Sequence, residues 1–139
     1  MRHTPGNLLL VVTICGSVGC GSAGPYDYVT VSGSVTYDDG GKIPLSGMRL
    51  MFVPLDAPEV AGAHPRRAMA NVDAEGGFDC ATSYKYGDGL IPGRHKVVIE
   101  APAAVNGKPV IPASSQSEAT TTIEIDTADL PLSIKVPKP

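Results

Sequence analysis

The side chains able to do chemistry are few in this sequence and widely separated. A hydrolytic metal site draws two or more His or carboxylate ligands from a set spacing. Of the three histidines, His3 lies in the first segment, His64 in a Pro-rich stretch and His95 at the start of an apolar alternation, none within a ligand motif. Ordinary surface or packing roles therefore account for His64 and His95, and no metal is expected. The same scarcity removes a Ser-His-Asp arrangement. There is no Gly-x-Ser-x-Gly elbow, no phosphate-cradling Gly-x-x-x-x-Gly-Lys and no calcium loop closed by glutamate. The acids of Asp38-Asp39-Gly40-Gly41 could form a weak cation site, but turns use Asp for local backbone hydrogen bonds, and a hairpin is the expectation there. No catalytic residue and no cofactor are expected, so the chain reads as a non-enzyme.

Two segments carry binding chemistry. In Tyr84-Lys85-Tyr86-Gly87-Asp88-Gly89 the rings of Tyr84 and Tyr86 are suited to stacking on a sugar or a peptide side chain, with Lys85 making a polar contact. The competing reading has the rings cap an open end of the domain. His64-Pro65-Arg66-Arg67 is a weaker patch, whose arginines either meet an acidic glycan or form a solvated loop charge.

The remaining reactive position is Cys20. Arg2 and His3 precede the apolar run Leu8-Leu9-Leu10-Val11-Val12-Thr13-Ile14, which small residues follow up to Cys20. This is the pattern of a secretory signal peptide over residues 1–19, and the run falls short of the ~20 residues a membrane-crossing helix needs. Ser17-Val18-Gly19-Cys20 resembles the bacterial lipobox, whose cysteine is acylated and becomes the new N-terminus. Ser17 stands where leucine is usual. Cys15 follows bulky Ile14, which a small-residue cleavage site rejects. Lipidation of Cys20 by palmitate-class acyl chains would hold a soluble domain on a membrane. The alternatives are an ordinary secretory peptide cut near Ala23, or a free thiol at Cys20. Residues 20–27 then form a flexible tether. Processing removes Cys15 and acylation consumes Cys20, leaving Cys80 without a disulfide partner. Cys80 shares a strand face with Phe78 and is expected as a small buried hydrophobe.

The elements that must position these residues are short. Hydrophobic residues make up 42% and charged residues 18%, with 16 Gly, 13 Pro and no Trp, a balance suited to strands joined by turns. The net charge of −3 provides no excess positive field for phosphate backbones or anionic lipid headgroups, so nucleic-acid binding is not expected. Residues 28–139 suit one domain. The alternation Val29, Val31, Gly33, Val35, Tyr37 marks a strand over Tyr28–Tyr37, and Met48, Leu50 and Phe52 another over Met48–Pro54. Further strands are expected over Arg67–Val72, Phe78–Thr82, His95–Glu100, Thr120–Ile125 and Leu130–Val136. The Pro- and Ser-rich stretch Ala101–Glu118 reads as a long loop prone to disorder. No helical periodicity follows the first segment. The expectation is an all-β fold, a seven-stranded antiparallel Greek-key β-sandwich.

The order of Val31-Ser32-Gly33-Ser34-Val35-Thr36, Phe52-Val53-Pro54, Asp73-Ala74-Glu75-Gly76-Gly77-Phe78 and Pro92-Gly93-Arg94-His95-Lys96-Val97 resembles small lipoproteins of planctomycete-type bacteria with carboxypeptidase regulatory-like, or transthyretin-like (prealbumin-like), domains. The resemblance covers Val29 to Val136 and rests on turn and core residues. It implies a non-catalytic accessory sandwich, since in the peptidases that give the family its name a separate domain holds the zinc. The transthyretin-like hydrolase of purine degradation ends in Tyr-Arg-Gly-Ser, whereas this chain ends Lys135-Val136-Pro137-Lys138-Pro139.

The resulting expectation is a non-catalytic lipoprotein of the cell envelope, facing periplasm or cell surface. Its membrane partner is met through the Cys20 lipid, and its loops engage an envelope protein or glycan. The alternative is a carbohydrate- or peptide-binding module built on the Tyr84–Gly89 loop.

Overall fold

A computed structural model of the chain describes residues 24–102 and 104–139. The expected signal peptide over 1–19, and Cys20 itself, lie outside the described residues. The strands are β1 (Gly33–Tyr37), β2 (Arg49–Pro54), β3 (Ala68–Asn71), β4 (Gly77–Phe78), β5 (Arg94–Glu100), β6 (Glu124–Asp126) and β7 (Leu132–Val136), with one 3-10 turn at Ala113–Gln116. They form two sheets, one in the order β4-β1-β7 and the other β3-β2-β5-β6. The described chain is thus essentially all-β.

Period-two alternation decides which residues of each strand face the other sheet, because successive side chains point to opposite faces. Val35, Tyr37, Leu132, Ile134 and Val136 are buried from the first sheet, and Leu50, Phe52, Ala68, Ala70, Val97 and Ile99 from the second. The two layers meet where the Phe52 and Phe78 rings lie tilted at 50° with centroids 6.1 Å apart. All of these residues belong to one core cluster.

Several expectations need correcting. β1 and β7 run parallel, Gly33 opposite Leu132 and Tyr37 opposite Val136, so the sheets are not wholly antiparallel. A parallel pair requires a long crossover. Here the chain between β1 and β7, which builds the whole second sheet, supplies it. For the same reason Asp38–Gly41 is not a hairpin: Tyr37 N–H donates to the Gly41 carbonyl at 2.8 Å, but β1 and β2 then enter different sheets. The strand expected over Phe78–Thr82 ends at Phe78. Beyond it the chain crosses to the second sheet, where Thr82 and Met69 exchange two backbone hydrogen bonds of 2.8 and 3.0 Å. The crossing shifts the alternation, so Ala81 is fully buried and Cys80 only half-buried.

The second half of the expected disordered loop is packed. Ile111 and Ser115 are buried, and the Tyr37 hydroxyl donates to the Val110 carbonyl at 2.8 Å. Farther on, the Glu118 carboxylate accepts from Arg67 at 2.6 Å and its carbonyl from the Lys96 ammonium at 3.5 Å. The segment therefore crosses the outer face of the second sheet. The tether expectation also needs amending at its C-terminal end: Tyr26 is buried, its hydroxyl 2.6 Å from the Ala63 carbonyl and 2.9 Å from that of Pro58. An aromatic ring with two acceptors in reach is a fixed point of the domain.

Candidate functional site

The loop from Ser83 to Gly89 is built around a carboxylate. Asp88 Oδ1 accepts the Ser83 N–H at 2.8 Å, and Oδ2 accepts those of Tyr84 and Lys85 at 2.9 and 2.8 Å. Burial pushes the Asp88 carboxyl up, but the N–H groups of Lys85, Ser83 and Tyr84 stabilise its charged form more strongly and hold it below the ordinary 3.8. The Ser83 hydroxyl donates to the Gly89 carbonyl at 2.6 Å and closes the base. There Gly89 has φ +103°, and a Cβ on it would stand 1.9 Å from the Val29 carbonyl oxygen. Only glycine permits that approach, which Val29 and Leu90 fix by exchanging two backbone hydrogen bonds of 2.8 and 2.9 Å.

On this base the three expected binding residues do not form one platform. Tyr84 is 46% exposed, and the guanidinium carbon of Arg66 stands 5.2 Å from its ring centroid, within cation–π range. Tyr86 is 90% exposed and borders a different hollow of about 190 Å³, shared with Met69, Cys80 and Thr82. Lys85 is exposed between them, with no carboxylate partner among the described residues.

The structure does join the two candidate segments, through Arg66 and Tyr84. It also adds residues outside both. A Cβ on Gly24 would lie 2.8 Å from Tyr28 Cε2 and 3.3 Å from Tyr84 Cδ1, so the start of the described chain sits against these two rings. The Tyr28 hydroxyl is buried without a hydrogen-bond partner among the described residues. Burial first, and then the negative charge of Asp88, raise the Tyr28 phenol above 10.0.

The remaining candidates are occupied locally. His64 faces Glu59 at 3.3 Å, and Arg67 is paired with Glu118, so the His64–Arg67 patch divides three ways. Asp38 and Asp39 accept the N–H groups of Asp39 and Gly41 at 2.9 and 2.8 Å, as turn acids do, and Asp39 is also paired with Lys138. His95 is 2% exposed, with Nδ1 3.2 Å from the Gly93 carbonyl. Burial pushes its imidazole below 6.5, more strongly than the Gly93 carbonyl and the charges of Asp126 and Asp56 raise it. Among the described residues no three His, Cys, Asp or Glu side chains gather as a metal site, and no helix is long and apolar enough to cross a membrane.

Sequence reasoning missed the structural use of Asp88 and the aromatic group of Tyr26, Tyr28 and Tyr84. An Asp between two glycines after a Ser was a usable signal for the first, because Asx side chains accept nearby backbone N–H groups. Tyr26 near the end of the expected tether, two positions before the Tyr28 that opens the first expected strand, was a signal for the second.

No protein-family model, curated protein or solved structure matches the chain.

Proposed function

We propose that this protein is a non-catalytic lipoprotein of the cell envelope, held to its membrane through acylated Cys20 and displaying a transthyretin-like, seven-stranded Greek-key sandwich as an interaction module. The carrying observation is one of spacing. The apolar run Leu8–Ile14 leads to small residues and Cys20, and the first buried ring, Tyr26, follows six positions later. A targeting segment is thus joined to a folded domain through a linker too short to hold any further element. The resemblance to planctomycete-type lipoproteins supports the same reading. So does the employment of the titratable side chains, with Asp88 spent on backbone N–H groups and His95 packed into the core.

Intact mass spectrometry of the mature protein from the membrane fraction, beside Cys20→Ala, tests the anchor. The expected result is a chain beginning at Cys20 with acyl mass added, and loss of that mass in the variant. Cleavage near Ala23, or an unmodified Cys20, overturns it.

A further inference from the structure

We infer that the end of the domain bearing Arg66, Tyr84, Lys85 and Tyr86 faces the phospholipid bilayer, with its rings and cations at the depth of the headgroup phosphates. The inference rests on the reading of Cys20 as the lipid-bearing residue.

From Cys20 to Gly24 the chain spans at most about 14 Å even when fully extended. Gly24 sits against Tyr28 and Tyr84, so the anchor point is confined to that end of the molecule. A domain of this size has a radius of gyration of about 13 Å, hence a diameter of roughly 30 Å, about twice the length of the tether that holds it. The Tyr26 hydroxyl, whose one proton lies between the Pro58 and Ala63 carbonyls, fixes the chain at residue 26 and stops the tether from lengthening beyond it by unpeeling. Such a domain cannot turn over above the membrane, and the same end always lies nearest the lipid.

Tyrosine concentrates at membrane interfaces because its ring is apolar and its hydroxyl wet. Tyr86 is 90% exposed and Tyr84 46%, in a loop that the three Asp88 hydrogen bonds hold in shape. Neither Arg66 nor Lys85 has a carboxylate partner among the described residues, which leaves a guanidinium fork and an ammonium for lipid phosphates. Of the nearby acids, Asp88 is turned inward onto backbone N–H groups and Glu59 faces His64, while exposed Asp79 shares the hollow that Tyr86 borders and exposed Asp27 lies between Tyr26 and Tyr28. Exposed Val60, in the loop Tyr26 holds, adds apolar surface at the same end.

The chain contains no Trp, so single tryptophans report depth cleanly. Tyr86→Trp and, separately, Val105→Trp are introduced into the acylated full-length protein. Val105 is exposed in the loop leading to Val110, whose carbonyl bonds Tyr37 at the far end of β1. Each protein is bound to vesicles of phosphatidylethanolamine and phosphatidylglycerol, with and without brominated acyl chains. The expected result is several-fold stronger bromine quenching at position 86 than at position 105, reduced by Arg66→Gln with Lys85→Gln while flotation with the vesicles persists. Equal quenching at both positions, or none at either in protein that floats, overturns the inference and leaves the anchor reading standing. A glycan-dependent signal at an unquenched position 86 would assign the loop to sugar binding instead. Protein without acyl mass that fails to float overturns both readings, and mass and flotation identify that case independently of quenching.

Discussion

Tyr26 and Ala63, 37 residues apart in sequence, are joined by a hydrogen bond of 2.6 Å from the phenol to the main-chain carbonyl. The contact fastens the entry of the chain to the loop over residues 56–65, whose own backbone hydrogen bonds among the described residues are the Val60–Ala63 pair. Tyr26→Phe keeps the ring and loses the bond. The expected cost is about 1 kcal/mol, the usual net value of one hydrogen bond, read as a lower urea midpoint. Tyr26→Ala also empties a buried ring position and is expected to cost ~3 kcal/mol more. In both variants limited proteolysis should shift toward residues 56–65. Cleavage and midpoint unchanged in Tyr26→Phe would show that the loop is held by something other than this tyrosine.

The faces of the strands were legible because one face of each is buried and the period is two. Leu50 and Phe52, Val97 and Ile99, and Leu132, Ile134 and Val136 all point inward as their alternation requires. The partner of each strand was not legible. Nothing local in Gly33–Tyr37 says that it pairs with Leu132–Val136, in parallel, across most of the chain. Cys80 misled for a related reason, since a period holds only while the strand lasts and the chain changes sheets after Phe78. In the candidate site, Tyr84 and Arg66 were both visible as residue types. Their 5.2 Å approach depends on two loops that tertiary structure alone brings together.

Gly33 marks where β1 runs closest to its neighbours. A Cβ there would stand 2.2 Å from the Leu132 carbonyl oxygen and 2.8 Å from Phe78 Cζ. The first is backbone of a hydrogen-bonded strand and cannot swing aside. Gly33→Ala is expected to cost ~3 kcal/mol as an overpacking substitution that forces β1 and β7 apart. Gly47→Ala is the control: its φ of +75° strains an L-residue, but nothing lies within 4 Å, so ~1 kcal/mol is expected. Thermal or urea unfolding of the two side by side gives the comparison. Equal losses would mean that the strand pair opens without strain.

Asp88 accepts three of the hydrogen bonds that shape the tyrosine loop. Asn in its place offers one acceptor oxygen where the carboxylate offers two, so at least one of the Ser83, Tyr84 and Lys85 N–H groups faces a donor. Asp88→Asn is expected to cost roughly 1–3 kcal/mol and to raise amide exchange at Tyr84 and Lys85. The acid limb checks the same residue. The folded carboxyl lies below 3.8, so the unfolded state binds the proton more readily. The stabilisation is present above the unfolded value and is lost as pH falls through the folded one. The variant should lose that part of the acid sensitivity. An undiminished acid limb in Asp88→Asn would move it to other carboxylates.

His95 gives a pH dependence in a different window. Burial disfavours the imidazolium, so the folded group titrates below the 6.5 of the unfolded chain. Between those two values the unfolded state holds more protons, and stability must rise with pH there. The contribution of neutral His95 is therefore complete above the unfolded value. It declines as pH falls below 6.5 and reaches its floor once the folded value is passed. The imidazole sits opposite Pro54 and Ile125 in the sheet, with Nδ1 against the Gly93 carbonyl, so a proton arriving there meets little water. The urea midpoint should fall from neutral pH to about pH 5 in the native protein. His95→Gln keeps an N–H donor for Gly93 and cannot titrate, so it should flatten that fall while starting from lower stability. A slope of equal size in His95→Gln would assign the pH dependence to another group and leave the buried imidazole with a packing role alone.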